Sequence, residues 1–209
     1  MVKLDEESVR DLLEEIGGAL RKKITLYLLG GGVMVLRGLK EDTVDLDFIA
    51  KLNTDREAVV EVLKKLGFRS RLAGARFERQ QAGALERVEI DVGRFMNVPL
   101  TDGARSRAEP EKYGDLEVKL LSNEDVFLFK SVTGRGKDLS DLSSLKSARP
   151  NWDIIRNEST KMERMGVSKV SPRIVAITLQ HLDVEESVIK KFKDVSEVER
   201  TPNPTSREG

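Results

Sequence analysis

Apolar residues recur along the first half of the chain with two different spacings. In residues 5–20 they follow the three- and four-residue intervals of an amphipathic helix, at Val9, Leu12, Leu13, Ile16 and Leu20. Two further helices are predicted at 33–37 and 54–66. Short apolar runs predict strands at 24–29, 44–50, 68–72, 76–80, 86–92 and 116–121. Residues 97–115 are rich in Asp, Gly, Pro, Arg and Glu, which predicts a loop. Together these elements predict an α+β fold built on a mixed sheet.

From Ser122 onward the pattern becomes helical. The run Ser122-Asn123-Glu124-Asp125 resembles a capping box before an apolar stretch. Further helices are predicted at about 137–148, 151–165, 171–182 and 184–194. We therefore predict an α+β domain over residues 1–121 and a helical domain over 122–195. The Pro-, Thr- and Ser-rich residues 196–209 are expected to be a disordered tail.

The composition excludes several classes of protein. Lys and Arg together number 36, as do Asp and Glu, so the net charge is zero. This balance argues against a uniformly basic surface for nucleic acid, although it allows a local basic track. The absence of cysteine excludes disulfides and thiolate metal sites. No apolar run is long enough to span a bilayer, and the acidic start is unlike a signal peptide, so we expect a cytoplasmic protein with no membrane partner.

A predicted strand with two acids lies shortly after a run of glycines. Side chains alternate across a strand, so Asp45 and Asp47 share one face while Leu46 and Phe48 point to the other. The two carboxylates are then about 6.6 Å apart along the strand. Because the glycine run at 30–32 lets the backbone approach phosphate closely, the segment suits a metal-dependent nucleotide site.

A second acid-bearing strand is predicted at 86–92. Its acids, Glu89 and Asp91, share one face, so either can supply a third carboxylate if this strand pairs with the first. Three carboxylates so close together repel one another unless a cation neutralises them. Oxygen ligands favour Mg²⁺ or Mn²⁺.

The order of these motifs resembles the nucleotidyltransferase superfamily typified by DNA polymerase β, in particular its small prokaryotic minimal and abortive-infection-type members. The family pattern is an apolar residue, two glycines, a Ser or Thr, a short helix, Asp-x-Asp and a later Asp on a neighbouring strand. Gly30 and Gly31 match the glycine pair, Asp45 and Asp47 the paired acids, and Asp91 the later Asp. The resemblance extends from about residue 25 to residue 93.

The resemblance implies a nucleotidyltransferase-like mixed sheet with flanking helices, followed by a C-terminal helical domain. It implies metal-dependent transfer of a nucleoside monophosphate from an NTP to a hydroxyl acceptor, with release of pyrophosphate. Asp45, Asp47 and Asp91 are then the catalytic, metal-binding residues, with two Mg²⁺ or Mn²⁺ ions expected. The nucleotide-binding residues are then Gly30, Gly31, Gly32 and Lys130.

Gly32 stands where the family has a hydroxyl, so we expect weak triphosphate binding that Gly32→Ser would improve. Lys130 opens the run Lys130-x₄-Arg135-x₂-Asp138-x₂-Asp141, which resembles a basic-then-acidic helical motif of the abortive-infection members. It is either a phosphate contact or a surface lysine on an amphipathic helix.

NTP is the expected substrate, and tRNA or a protein is a candidate acceptor. The alternative function is a non-catalytic nucleotide-binding or protein-binding module, such as one component of a toxin–antitoxin pair. Retention of all the acids favours catalysis, whereas Gly32 favours the alternative.

Overall fold

The computed structural model describes residues 3–81, 83–132 and 136–194. Its main feature is a seven-stranded mixed sheet with the strand order β3-β4-β5-β2-β1-β9-β8. The pairs β1–β9 and β2–β5 are parallel, and the other neighbours are antiparallel. The strands of this sheet are β1 Ile24–Leu29, β2 Leu46–Ala50, β3 Arg69–Arg71, β4 Arg76–Gln81, β5 Ala84–Val92, β8 Glu109–Tyr113 and β9 Leu116–Leu120. A separate hairpin pairs β6 Arg94–Phe95 with β7 Val98–Pro99.

Helices cover the sheet and form most of the second half of the chain. They are α1 Glu6–Ala19, α2 Gly30–Leu36, α3 Asn53–Lys65, α4 Asp102–Arg107, α5 Asn123–Ser131, α6 Gly136–Ser147, α7 Trp152–Arg164, α8 Pro172–His181 and α9 Glu186–Lys193. Short 3₁₀ turns occupy Leu72–Gly74 and Ser168–Val170. The mixed α+β architecture predicted from the sequence is thus confirmed.

Helix α1 forms where the apolar spacing predicts it. Asp5 caps its start, because its side chain accepts a hydrogen bond from the Ser8 backbone N–H. The apolar face is fully buried and includes Val9, Leu12 and Leu13. Burying side chains of this size stabilises the fold by about 1.5–3 kcal/mol each.

The region predicted as a loop at 97–115 contains β7, α4 and β8, so this prediction is wrong. Strand β8 pairs antiparallel with β9 at the edge of the sheet. Tyr113 is the one buried residue of β8. The sequence of this strand, Glu-Pro-Glu-Lys-Tyr, does not alternate apolar and polar residues. An edge strand tolerates charges and proline because one side of its backbone is unpaired, so pairing with β9 overrides its weak intrinsic preference.

The helical second half packs directly on the first. Helix α5 contacts α2, and one continuous cluster of buried apolar side chains includes residues from both halves. The division at residue 121 remains a prediction, and the predicted tail at 196–209 lies outside the described residues. Among the described helices, none combines the length and hydropathy that crossing a bilayer requires.

Candidate active site

Three carboxylates from two neighbouring strands meet at one place on the sheet. Asp45 immediately precedes β2, and Asp47 lies within it. In the parallel pairing of β2 with β5, Asp47 stands directly opposite Glu89. Carboxylate oxygens of Asp45, Asp47 and Glu89 all lie within 4.8 Å of one another, and each residue is half-buried. The sequence prediction that Asp45 and Asp47 share one face therefore agrees with their position.

Asp91 is not part of this group, although it was the residue expected to complete it. The pairing register sets Asp91 opposite Ile49, two residues beyond the Asp47–Glu89 pair. Burial raises the pKa of the Asp91 carboxyl, and the nearby Arg56 guanidinium partly opposes that shift. The structure thus brings Glu89, the other acid on this face, to the paired acids. Only the strand register distinguishes the two candidates, since both share the same side of β5.

Arg76 compensates part of the negative charge of the cluster. It lies on β4 opposite Glu89, and its Nη2 is 2.6 Å from Glu89 Oε1. The hydrogen bond to Glu89 raises the pKa of Arg76 above its ordinary value despite partial burial, and Asp45 adds to this effect. Arg79, on the same strand, instead pairs with Glu15 and Glu86 and contacts the ring of Phe68.

The first two glycines of the run at 30–32 are required by close contacts with the site. Gly30 has a φ of +68°, and a Cβ there would lie 2.7 Å from Asp47 Oδ2. A Cβ on Gly31 would lie 2.2 Å from the hydroxyl oxygen of Thr43. Helix α2 begins at Gly30, earlier than predicted, so the backbone of this pair lies beside the acids. Side chains larger than hydrogen would displace Asp47 or Thr43.

Gly32 faces away from the acids. A Cβ at this position would lie 2.9 Å from Leu46 Cδ2 and 3.1 Å from Leu28 Cδ1, both in the hydrophobic core. A serine hydroxyl would therefore enter the core instead of the cleft. This geometry removes the reason for expecting Gly32→Ser to improve triphosphate binding, and Gly32 no longer favours a non-catalytic protein.

Lys130 lies at the same cleft and is not a surface lysine. Its ammonium is 2.6 Å from Asp141 Oδ2 and 3.6 Å from Asp138 Oδ1, and its side chain is only 11% exposed. Lys40, from the segment between α2 and β2, also donates to Asp141 at 2.8 Å. Burial tends to raise the pKa of Asp141, but hydrogen bonds from the two lysines outweigh it and lower the pKa. Arg135, from the same predicted motif, lies outside the described residues.

The acids, the glycine pair and the lysines line one cavity of about 370 Å³. Its charged members are Lys3, Lys40, Asp42, Asp45, Asp47, Arg76, Glu89, Lys130, Asp138 and Asp141. Its apolar members include Leu29, Phe95, Met96 and Phe129. A cavity of this size, which carries both signs of charge and an apolar side, can accept a molecule the size of a nucleotide.

A solved structure shows which fold this chain has. An antigenic nucleotidyltransferase-like protein from Paracoccidioides brasiliensis aligns over 90% of this chain and 95% of its own, with a TM-score of 0.56 and 17% identity. The chain has a nucleotidyltransferase-like fold. The antibiotic-resistance factor ANT(2'')-Ia aligns over 84% of this chain and 98% of its own, with a TM-score of 0.48 and 13% identity. No protein-family model and no curated protein sequence matches the chain.

The donor set on this nucleotidyltransferase-like fold fits a divalent metal ion. All three clustered side chains offer carboxylate oxygens, and their mutual distances allow one ion to touch each of them. Hard oxygen ligands suit Mg²⁺ and Mn²⁺ rather than metals that prefer nitrogen or sulfur. The half-exposed position of the cluster leaves room for further ligands from a substrate or water.

Proposed function

We propose that the protein transfers a nucleoside monophosphate from an NTP to a hydroxyl acceptor and releases pyrophosphate. The observation that carries this proposal is the cluster of Asp45, Asp47 and Glu89 beside the Gly30–Gly31 backbone. These carboxylates lie in one cavity with two buried or half-buried lysines. The nucleotidyltransferase-like fold supports the same reaction class.

Asp45, Asp47 and Glu89 would hold the divalent ions, with Mg²⁺ or Mn²⁺ as the proposed species and two as the proposed number. Ions bound there would offset the negative charge that develops on the attacking and leaving oxygens during in-line displacement. We assign the third position to Glu89 in place of Asp91, because only Glu89 reaches the paired acids. Arg76 keeps Glu89 oriented toward the cleft through their ion pair.

The remaining groups of the cavity are suited to hold the triphosphate. The glycines at 30 and 31 leave space for phosphate oxygens to approach the backbone. Lys40 and Lys130 supply positive charge on the side of the cavity that carries Asp141. In the reaction, the acceptor oxygen forms a bond to the α-phosphorus and the hydroxyl proton passes to solvent water. The bond from that phosphorus to pyrophosphate breaks, and pyrophosphate leaves with the bonding electron pair.

The acceptor is proposed only by class, as an RNA such as tRNA, a protein side chain or a small molecule with a free hydroxyl. We keep the cytoplasm as the expected location and a cognate toxin or antitoxin protein as a possible partner. One observation supports the non-catalytic alternative. Arg76 already neutralises part of the negative charge of the acid cluster in the protein alone, so the clustering of the three carboxylates does not by itself require a bound ion.

Transfer of label from each α-³²P NTP to total tRNA or to protein of a cell extract tests the proposal. The reaction should require Mg²⁺ or Mn²⁺ and should disappear in Asp45→Asn and Asp47→Asn. Failure of the wild type to label any acceptor, combined with metal-dependent NTP binding, would support the non-catalytic alternative.

A further inference from the structure

The cavity that holds the three carboxylates also has an apolar side. Phe95 and Met96 come from the β6–β7 hairpin, and Phe129 comes from α5. Phe129 is buried, Phe95 is half-buried, and Met96 is 39% exposed. Lysine, arginine and carboxylate side chains provide most of the polar lining of the cavity. The lining of the cavity therefore combines charged groups with these three apolar side chains.

The hairpin holds Met96 in an unfavourable conformation. Met96 and Asn97 form its two-residue turn, with φ values of +50° and +67°. Such turns favour Asn and Gly at both positions, since a larger side chain is strained at positive φ. At position 96 this strain is combined with solvent exposure of a large apolar side chain. Strained residues that persist at the edge of a cleft are common where the side chain serves a ligand.

The hairpin is fixed to the strands that carry the acids. Gly93, which joins β5 to β6, has a φ of +68° and donates its backbone N–H to the Ala50 carbonyl at 2.9 Å. The backbone N–H of Leu100, just after β7, donates in turn to the Gly93 carbonyl at 2.9 Å. Strand β6 contacts both β2 and β5. The apolar side chains are thereby held at a set position relative to Asp47 and Glu89.

We propose that Phe95, Met96 and Phe129 form the subsite for the nucleobase of the bound NTP. This inference rests on the proposed function. If the triphosphate contacts the charged groups of the cavity, the aromatic base of the same molecule is left to meet these three apolar side chains. A base has two flat faces that stack on aromatic rings and on the polarisable sulfur of methionine. An apolar group of the acceptor is the competing occupant.

The test compares ATP with inorganic tripolyphosphate, which carries the same charged groups but no base. Binding of each ligand is measured by calorimetry in Mg²⁺ for the wild type, Phe95→Leu and Met96→Ala. Phe95→Leu keeps an apolar side chain of similar size, and thermal unfolding verifies that both variants are folded. Met165→Ala is the matched control, because Met165 is 55% exposed and does not line the cavity.

We expect both cleft variants to bind ATP about five-fold or more weakly and to bind tripolyphosphate as the wild type does. Met165→Ala should leave both affinities unchanged. Unchanged ATP affinity in both variants, or equal weakening for ATP and tripolyphosphate, would overturn the nucleobase assignment while leaving the proposed function intact. A wild type that binds neither ligand would instead refute the proposed function, and the subsite with it.

Discussion

Asp141 binds lysines from two separate segments that line the cleft, so its replacement tests how these segments are held together. It accepts hydrogen bonds from Lys130 on α5 and from Lys40 in the segment before β2. Its side chain is only 8% exposed. Asp141→Asn keeps the shape of the side chain and removes its charge, leaving two ammonium groups without their shared counterion.

The expected loss of unfolding free energy follows from these environments. Removing one partner of a buried ion pair costs about 3–5 kcal/mol. The value here should lie lower, because the Lys40 side chain is 30% exposed and can turn to water, while Lys130 keeps Asp138 at 3.6 Å. We expect a loss of about 2–3 kcal/mol, which lowers the melting temperature by about 4–12 °C for a chain of this length.

The pH dependence of this loss has a definite sign. Burial tends to raise the pKa of Asp141, but the two lysines lower it by a larger amount. The folded-state pKa therefore lies below the unfolded value. The stability that Asp141 contributes is therefore fully present above its unfolded pKa of about 3.9. It is lost as the pH falls through the lower folded-state pKa. The difference between wild type and Asp141→Asn should be constant from pH 7 to pH 5 and should shrink below about pH 4.

Urea unfolding at a series of pH values measures this difference. Asp153→Asn is the control, because Asp153 pairs with Lys191 at 3.4 Å with both side chains more than half exposed. A surface pair of this kind contributes about 0–1 kcal/mol. Asp141 would not hold the cleft together as described if Asp141→Asn changed the unfolding free energy no more than Asp153→Asn does, or if the difference from wild type grew in acid.

Three further substitutions test individual parts of the cleft. Gly32→Ser should lower the unfolding free energy by about 1–3 kcal/mol, because the hydroxyl enters the core; an unchanged melting temperature would contradict this. Gly30→Ala should weaken Mg²⁺-dependent ATP binding in calorimetry, because its Cβ would displace Asp47, and wild-type affinity would argue against that contact. Lys130→Met should weaken ATP binding about ten-fold or more through loss of a charge-assisted phosphate contact. Unaltered affinity would remove Lys130 from the site.

The sequence alone predicts those features of the fold and the site whose geometry follows from local periodicity. Strand alternation correctly places Asp45 and Asp47 on one face, and the apolar spacing correctly predicts α1. Strand β8 was missed because pairing with β9 decides its conformation, not its own composition. The β6–β7 hairpin was missed because Met-Asn is an unusual pair for a two-residue turn.

The rest of the site depends on contacts between distant parts of the chain. Glu89 and Asp91 lie on the same face of β5, so only the register of β5 against β2 places Glu89 beside Asp47. Lys40 and Asp141 are separated by 101 residues, and no periodicity connects them. The direction of the Gly32 Cα–H bond toward Leu46 likewise depends on how α2 lies against β2. Tertiary packing decides each of these features.

Calorimetric titration of ATP with Mg²⁺ into Glu89→Gln and Asp91→Asn tests the central assignment most directly. The two positions lie on the same face of one strand, two residues apart, and both substitutions remove one negative charge. We expect Glu89→Gln to lose metal-dependent ATP binding and Asp91→Asn to keep it. Retained binding in Glu89→Gln together with lost binding in Asp91→Asn would contradict the carboxylate cluster on which the proposed function rests.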